Sequence, residues 1–154
     1  MNVVNIIALI VIPILAVIIG QKLQERAQKR NDKIQIFKIL MTSRIFGWTN
    51  DSVQAMNLID VVFSDDNAVC KQWKTCFDKM CVENPTETDL LKIKKEKEKL
   101  LETMAKSLGY KNISWESIQN PYIPKGMTDQ IAQQQKYQAT QSVIMEQMKN
   151  MMQT

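Results

Sequence analysis

The first twenty-one residues contain no charged side chain, whereas seven of the next twelve are charged. Val3 to Gly20 is an apolar run that only Asn5 and Pro13 interrupt. A helix of this length measures roughly 27 Å, close to the ~30 Å hydrocarbon core of a bilayer. The run therefore predicts a membrane-spanning helix over residues 1–21. Its representative membrane-spanning residues are Val3, Ile6, Ile10, Pro13, Val17 and Gly20.

The segment that follows the apolar run is basic. Its cationic residues, which we expect to meet lipid head groups, are Lys22, Arg26, Lys29, Arg30 and Lys33. Positive flanks stay in the cytoplasm, so the N-terminus should face outward and the remaining chain inward. A cleaved signal peptide would carry its basic residues first and end on small residues. The sequence thus predicts an uncleaved single-pass membrane anchor.

Two polar or helix-breaking residues within the apolar run leave its role open. Pro13 removes a backbone donor in the middle of the helix, and Asn5 lies near its outer end. A plain anchor tolerates both residues. A span that self-associates or lines a pore would use them, so both interpretations stand.

The rest of the chain shows helical periodicity and few glycines or prolines. We predict an all-α fold with an amphipathic juxtamembrane helix over 22–46, a helical cytosolic domain over 47–126 and a Gln- and Met-rich helix or tail over 127–154. Whether the juxtamembrane helix continues the span is left open. The expected helix starts are capped by Asn50 or Asp51, by Asp65 or Asp66, and by Asn84 with Pro85 or Thr86 with Asp89; Gly109 should end the fourth helix.

Core and surface residues follow from the same periodicity. Trp48, Trp73 and Trp115 are expected in the core. The run from Lys92 to Lys99 interleaves lysine with glutamate, which is typical of a solvated helix face.

No catalytic constellation is visible. The chain has no histidine, no glycine-rich phosphate loop and three cysteines without zinc-binding spacing. The cysteines are expected to be free thiols, with a redox sensor as the alternative. A magnesium site would need Asp51, Asp60, Asp66 and Asp78 to gather. We predict no enzyme, no cofactor and no nucleic-acid partner.

Several segments resemble an uncharacterised bacterial family of small single-span membrane proteins with a helical cytosolic domain. They are Ile39–Arg44, Val53–Phe63, Val69 with Trp73, Met104–Tyr110, and Tyr122 with Pro124–Gly126. The resemblance implies the architecture and no activity. It draws attention to polar residues within apolar helices, namely Arg44, Asn57 and Asp60, and we expect Asn57 or Asp60 to bond Arg44 across two helices.

The remaining candidates lie near the C-terminus. They form a possible interaction loop and tail, with the residues Tyr122, Pro124, Lys125, Gly126, Ile144, Met148 and Met151. Taken together, the sequence predicts a membrane-tethered interaction or scaffold protein that binds itself or a protein partner. The alternative is a membrane effector that oligomerises through its span and permeabilises the membrane in stress or phage defence.

Overall fold

The computed structural model describes the backbone of residues 3–151, while the side chains of residues 3–10, 135, 146, 150 and 151 lie outside the described set. Every regular element within this range is an α-helix, so the predicted all-α class is confirmed. The helices are α1 (Val3–Ser43), α2 (Asn50–Asn57), α3 (Ile59–Val62), α4 (Asn67–Met80), α5 (Glu87–Ser107), α6 (Trp115–Gln119) and α7 (Lys125–Met151). The chain forms two units, one ending at Gln119 and the other beginning at Asn120.

Helix α1 is continuous over 41 residues and passes through Pro13. At 1.5 Å per residue it is about 60 Å long. The question that the sequence left open is thereby answered, because the juxtamembrane segment continues the apolar helix without a break. Among the described side chains of α1, those buried in the bundle lie in its C-terminal part and include Ile36, Phe37 and Leu40.

The core of the first unit lies where α1 meets α2, α3 and α5, and where α4 packs on α3 and α5. Phe63 and Ile59 are fully buried at the centre, together with Met104 from α5. Apolar residues that recur at helical spacing along α1, α2, α4 and α5 supply most of this core. Burial of this apolar surface is the main stabilising contribution to the unit.

The predicted helix from Asn50 to Phe63 is broken into α2 and α3 at Leu58. Its cap is Thr49, which precedes the predicted caps Asn50 and Asp51 by one and two residues. The Thr49 hydroxyl accepts from the Ser52 amide at 3.1 Å, and the Ser52 hydroxyl oxygen accepts from the Thr49 amide at 3.0 Å. This reciprocal pair satisfies two helix-end donors, which explains why Thr49 begins the helix.

Helix α4 starts as predicted, with Asp66 as its cap. The start predicted at Asn84 and Pro85 is wrong, because α5 is capped by Thr86 and its partner Asp89, the alternative pair. Asn84 instead takes a left-handed backbone with φ of 50°.

The end predicted for α5 is confirmed. Gly109 has a φ of 84°, and the Tyr110 amide donates to the Ala105 carbonyl at 2.9 Å. This left-handed turn closes the helix at low conformational cost because glycine has no Cβ.

The short helix α6 was not predicted. Its Ile118 is 1% exposed and joins the core, packing α6 against α5. Two of the three tryptophans expected in the core lie outside it: Trp48 is 55% exposed and Trp115 is 42% exposed. Trp73 is buried as predicted.

A group of polar contacts, here called the clasp, joins α1 to the start of α4 and the end of α5. Its residues are Arg30, Lys33, Asp65, Asp66 and Ser107. Lys33 Nζ lies 2.5 Å from Asp65 Oδ1 in the turn before α4. Arg30 Nη2 donates to the Leu108 carbonyl at the end of α5, at 3.2 Å. A guanidinium at this position satisfies a carbonyl that the helix leaves unpaired.

Asp66 joins the clasp to two helix ends at once. Its Oδ1 accepts from the Ala68 and Val69 amides, each at 3.1 Å, and its Oδ2 accepts from the Ser107 hydroxyl. Burial alone would raise the pKa of Asp66, but these hydrogen bonds outweigh it and the pKa lies below 3.8. For Asp65 the hydrogen bond from Lys33 is the largest cause of a lowered pKa.

Replacing Phe63 by alanine should remove a fully buried ring from the centre of the core. We expect Phe63→Ala to lower the free energy of unfolding by about 3–5 kcal/mol. Val61→Ala is the matched control, because Val61 is 70% exposed and its loss should change stability by less than about 0.5 kcal/mol. Urea unfolding of the full chain in mild detergent, followed by circular dichroism, measures both values; equal losses would contradict this core.

The clasp predicts acid sensitivity with a defined sign. Asp65 and Asp66 have folded-state pKa values below 3.8, so near and below that pH the unfolded chain binds more protons than the folded chain. Their stabilisation is therefore complete above this range and is lost as the pH falls through the folded-state pKa values. In Asp65→Asn/Asp66→Asn the free energy of unfolding should depend less on pH between about 2 and 4.

Some acid sensitivity should remain in that variant, because the pKa values of Asp89 and Glu96 are also lowered. Asp78→Asn serves as the control, since Asp78 is exposed and lies outside the clasp. An unchanged pH dependence in the double variant would show that the clasp carboxylates do not support the fold.

Candidate functional site

The polar cluster predicted from Arg44, Asn57 and Asp60 is not assembled as expected. Arg44 Nε donates to the Ile118 carbonyl at 3.1 Å, and Arg44 Nη1 donates to the Met41 carbonyl. Its guanidinium therefore joins the end of α1 to α6. Asp60 accepts instead from the Trp73 indole, so the predicted bond between these helices and Arg44 is wrong.

Asn57 and Asp60 do meet other functional groups in a surface groove between α2, α3 and α4. The groove has a volume of about 590 Å³ and is open to solvent. Its lining residues are Met56, Asn57, Asp60, Cys70, Lys71, Trp73, Lys74 and Phe77. A volume in this range accommodates a few side chains of a partner or a small ligand.

Aromatic rings form one side of the groove. The centroids of Trp73 and Phe77 are 5.8 Å apart with the rings tilted by 59°, a separation within the range of favourable aromatic pairs. Trp73 Nε1 donates to Asp60 Oδ2 at 3.1 Å, which fixes the indole. Phe77 is 51% exposed, so an aromatic face is available to a bound molecule.

Two lysines and one carboxylate line the groove, so positive charge is in excess. Asp60 already accepts a hydrogen bond from Trp73, whereas Lys71 and Lys74 are exposed and form no ion pair within the described part of the chain. Exposed ammonium groups beside an aromatic face attract a segment that combines acidic and apolar side chains.

Two thiols of α4, Cys70 in the groove lining and Cys76, have raised pKa values. Burial is the largest cause that raises the pKa of Cys70, with Asp60 and Asp66 adding to it, and the Cys70 thiol donates to the Phe63 carbonyl at 3.1 Å. Burial also raises the pKa of the Cys76 thiol to about 12. Both groups are protonated at neutral pH and resemble small core side chains. Cys81 is exposed.

The alternative magnesium site is not formed by the residues considered for it. Asp66 belongs to the clasp and Asp60 to the groove, while Asp51 and Asp78 are exposed on α2 and α4. Across the described residues, no three Asp, Glu or Cys side chains lie close enough to hold a metal ion.

Two residues of the lysine- and glutamate-rich run do not lie on a solvated face, so that prediction is wrong for them. Lys97 Nζ lies 4.3 Å from the Trp48 ring centroid, and burial lowers its pKa. Glu98 is 7% exposed and accepts from the Gln119 amide at 3.0 Å. The sequence offered no signal for either contact, because Trp48 and Gln119 come from distant loops and helices.

The N-terminal half of α1 is solvent-exposed over residues 11–31. Apolar side chains are exposed on all sides of this segment. Those at least 42% exposed are Val11, Ile12, Ile14, Leu15, Val17, Ile18 and Ile19. Lys22, Arg26 and Lys29 are exposed beyond them, whereas Arg30 and Lys33 belong to the clasp. Of the five basic residues predicted to meet lipid head groups, Arg30 and Lys33 thus also bond to other elements of the bundle.

The predicted span lies partly outside the described residues, since the side chains of Val3, Ile6 and Ile10 are not described. Within the described part of the chain, none of the helices combines the length and apolar character needed to cross a bilayer.

The C-terminal candidates fall in the second unit. Tyr122 is 86% exposed, but Lys125 and Gly126 belong to the first turn of α7, so the predicted loop ends earlier than expected. The Met127 amide donates to the Pro124 carbonyl at 3.0 Å as this helix begins. On α7, Ile144 is 48% and Met148 is 55% exposed, while the side chain of Met151 lies outside the described residues.

Comparisons with known proteins give a family and no activity. A search of curated proteins and a search of solved structures each returned no match. A family model described as a family of unknown function, DUF6680, matches residues 1–154. The match extends over the entire sequence, the apolar segment and α7 included, and this chain belongs to the DUF6680 family.

Proposed function

We propose that this protein is a membrane-tethered, non-catalytic interaction protein at the bacterial inner membrane. The observation that carries the proposal is the exposed apolar segment of α1, which runs directly into exposed basic residues. A helix that is apolar on all sides suits lipid, whereas a helix that docks on one protein groove is apolar on one face. Residues 11–20 have the first pattern.

The charge pattern sets the proposed orientation. Lys22, Arg26 and Lys29 follow the apolar segment, so the N-terminus faces outward and the helical domain lies in the cytoplasm. Each of these residues contributes about 1 kcal/mol of attraction to an anionic leaflet.

Because α1 is continuous, the proposed tether also acts as a spacer. Gly20 and Lys33 are thirteen residues apart in one helix, a distance of about 20 Å. The bundle is thus held off the membrane surface by a helical spacer, which leaves its groove accessible to partners.

The groove is the proposed partner surface of the bundle. Lys71 and Lys74 supply positive charge beside the exposed ring of Phe77. The partner segment that complements this surface carries an apolar side chain next to acidic residues.

Two lysines within the apolar segment test the tether. Each lysine at the centre of a span costs about 2.5–3.5 kcal/mol, so Ile14→Lys/Ile18→Lys should abolish stable insertion. After alkaline extraction of cell membranes, the unmodified chain should remain in the pellet and the double variant should move to the supernatant.

The matched control places two lysines on the bundle surface. Val61 and Leu91 are 70% and 65% exposed, so Val61→Lys/Leu91→Lys should stay in the membrane pellet. Release of the unmodified chain would contradict the tether. Dye leakage on overexpression that disappears when Val3–Gly20 is replaced by another anchor would favour the pore-forming alternative.

A photo-reactive benzoylphenylalanine at position 77 tests the groove. In the native host it should yield a defined adduct with a protein partner, and Lys71→Glu/Lys74→Glu should reduce that adduct about tenfold by reversing the attraction. Gel analysis with mass spectrometry measures the yield and identifies the attached segment.

The control position is Leu91, which is exposed on α5 and lies outside the groove. The control charge reversal is Lys94→Glu/Lys95→Glu, on the same helix. An adduct of equal yield at both positions, or one insensitive to Lys71 and Lys74, would exclude the groove as a specific surface.

A further inference from the structure

Charged residues are confined to one side of α7 when this helix is divided into heptads. With Met127, Gln134, Gln141 and Met148 at position a, Tyr137 and Ile144 fall at position d. The charged residues with described side chains then occupy outer positions: Lys125 at f, Asp129 and Lys136 at c, and Lys149 at b. The a, d, e and g positions of the described residues carry no charge.

The uncharged side also holds most of the large apolar side chains of α7. Tyr137, Ile144, Met145 and Met148 lie at d, d, e and a, and they are between 48% and 76% exposed. The stripe from Met127 to Met148 spans three heptads, or about 32 Å. Such a stripe stabilises a helix only when another surface covers it.

We propose that α7 forms a parallel two-stranded coiled coil with α7 of a second copy of this chain. The stripe carries no charge, so two copies meet without like-charge repulsion. In a parallel pair each a residue faces its own copy, so Gln134 meets Gln134 and Gln141 meets Gln141. An amide carries both donors and acceptors, so each glutamine pair satisfies itself and sets the register.

A lipid surface is a poorer match for this stripe. Helices that lie on membranes place basic residues beside an apolar face rich in large side chains. In α7 the middle of the stripe contains Gln130, Gln134 and Gln141, and the lysines lie on the other side. A second copy accommodates these amides, whereas hydrocarbon leaves them unpaired.

One partner of the proposed interaction protein is thus a second copy of the same chain. The pairing rests on the proposed function only in that the membrane tether strengthens it. Two copies held in one membrane meet at a raised effective concentration, which promotes a weak helix pair. The pairing itself depends on α7 and is measurable without a membrane.

Disulfide crosslinking of the full chain in mild detergent tests the pairing. The three native cysteines are first replaced (Cys70→Ser, Cys76→Ala, Cys81→Ser), and then Gln141→Cys or Ala139→Cys is introduced. A disulfide requires Cα atoms within about 7 Å, which holds for a positions of a parallel pair and fails for f positions such as residue 139. We expect at least about tenfold more disulfide dimer from Gln141→Cys.

A second measurement tests whether the same face of α7 is required for the dimer. Light scattering of the otherwise unmodified chain should give two chains per particle, and Ile144→Asp/Met148→Asp should give one. Val143→Asp is the control, because Val143 is 54% exposed at an outer c position and its variant should remain two chains. Circular dichroism confirms that the bundle stays folded in each variant.

Four outcomes would overturn the proposal: a monomeric unmodified chain, equal crosslinking at residues 141 and 139, crosslinking at residue 139 alone, or a dimer that survives Ile144→Asp/Met148→Asp. The tether is judged separately by adding Ile14→Lys/Ile18→Lys to the Gln141→Cys chain. Release from membranes with retained crosslinking separates failure of the tether from failure of the pair.

Discussion

Burial of Ile36, Phe37 and Leu40 of α1 against the bundle is the interaction on which the other features depend. These side chains lie on the C-terminal part of the same helix that carries the exposed apolar segment. Docking this part therefore fixes the direction in which the N-terminal part leaves the bundle. The clasp reinforces this arrangement, since Arg30 and Lys33 hold α1 to the ends of neighbouring elements.

Helix α1 is also central to the proposed function. In the proposed role, α1 carries the exposed apolar segment at one end and packs into the core at the other, so it positions the bundle. The groove is lined by one cysteine, Cys70, whose pKa is raised chiefly by burial, and by one carboxylate, Asp60, which accepts a hydrogen bond from Trp73. What remains available is an aromatic face with two exposed lysines, which is a surface suited to recognition.

Local sequence was sufficient for the helical class, most core positions and several helix ends, because periodicity and capping are local properties. Asp66 and Gly109 were identified in this way. Contacts between distant residues were not accessible. Arg44 donates to a carbonyl of α6, a helix that periodicity did not reveal. Lys97 lies over the ring of Trp48, which was expected in the core but is exposed. Asn57 and Asp60, expected to bond Arg44, instead line a groove with residues of α4, and Asp60 accepts a hydrogen bond from Trp73.

The central claim is that α1 is one uninterrupted helix between the apolar segment and the bundle. Residues 21–31 decide this, because their side chains are exposed and the core does not hold them in place. Hydrogen exchange of the full chain in lipid nanodiscs measures their backbone amides directly. We predict that these backbone amides are protected from Gln21 to Asn31 without a gap. Amides in this segment that exchange as fast as those of an unstructured peptide would show a flexible linker and contradict the account.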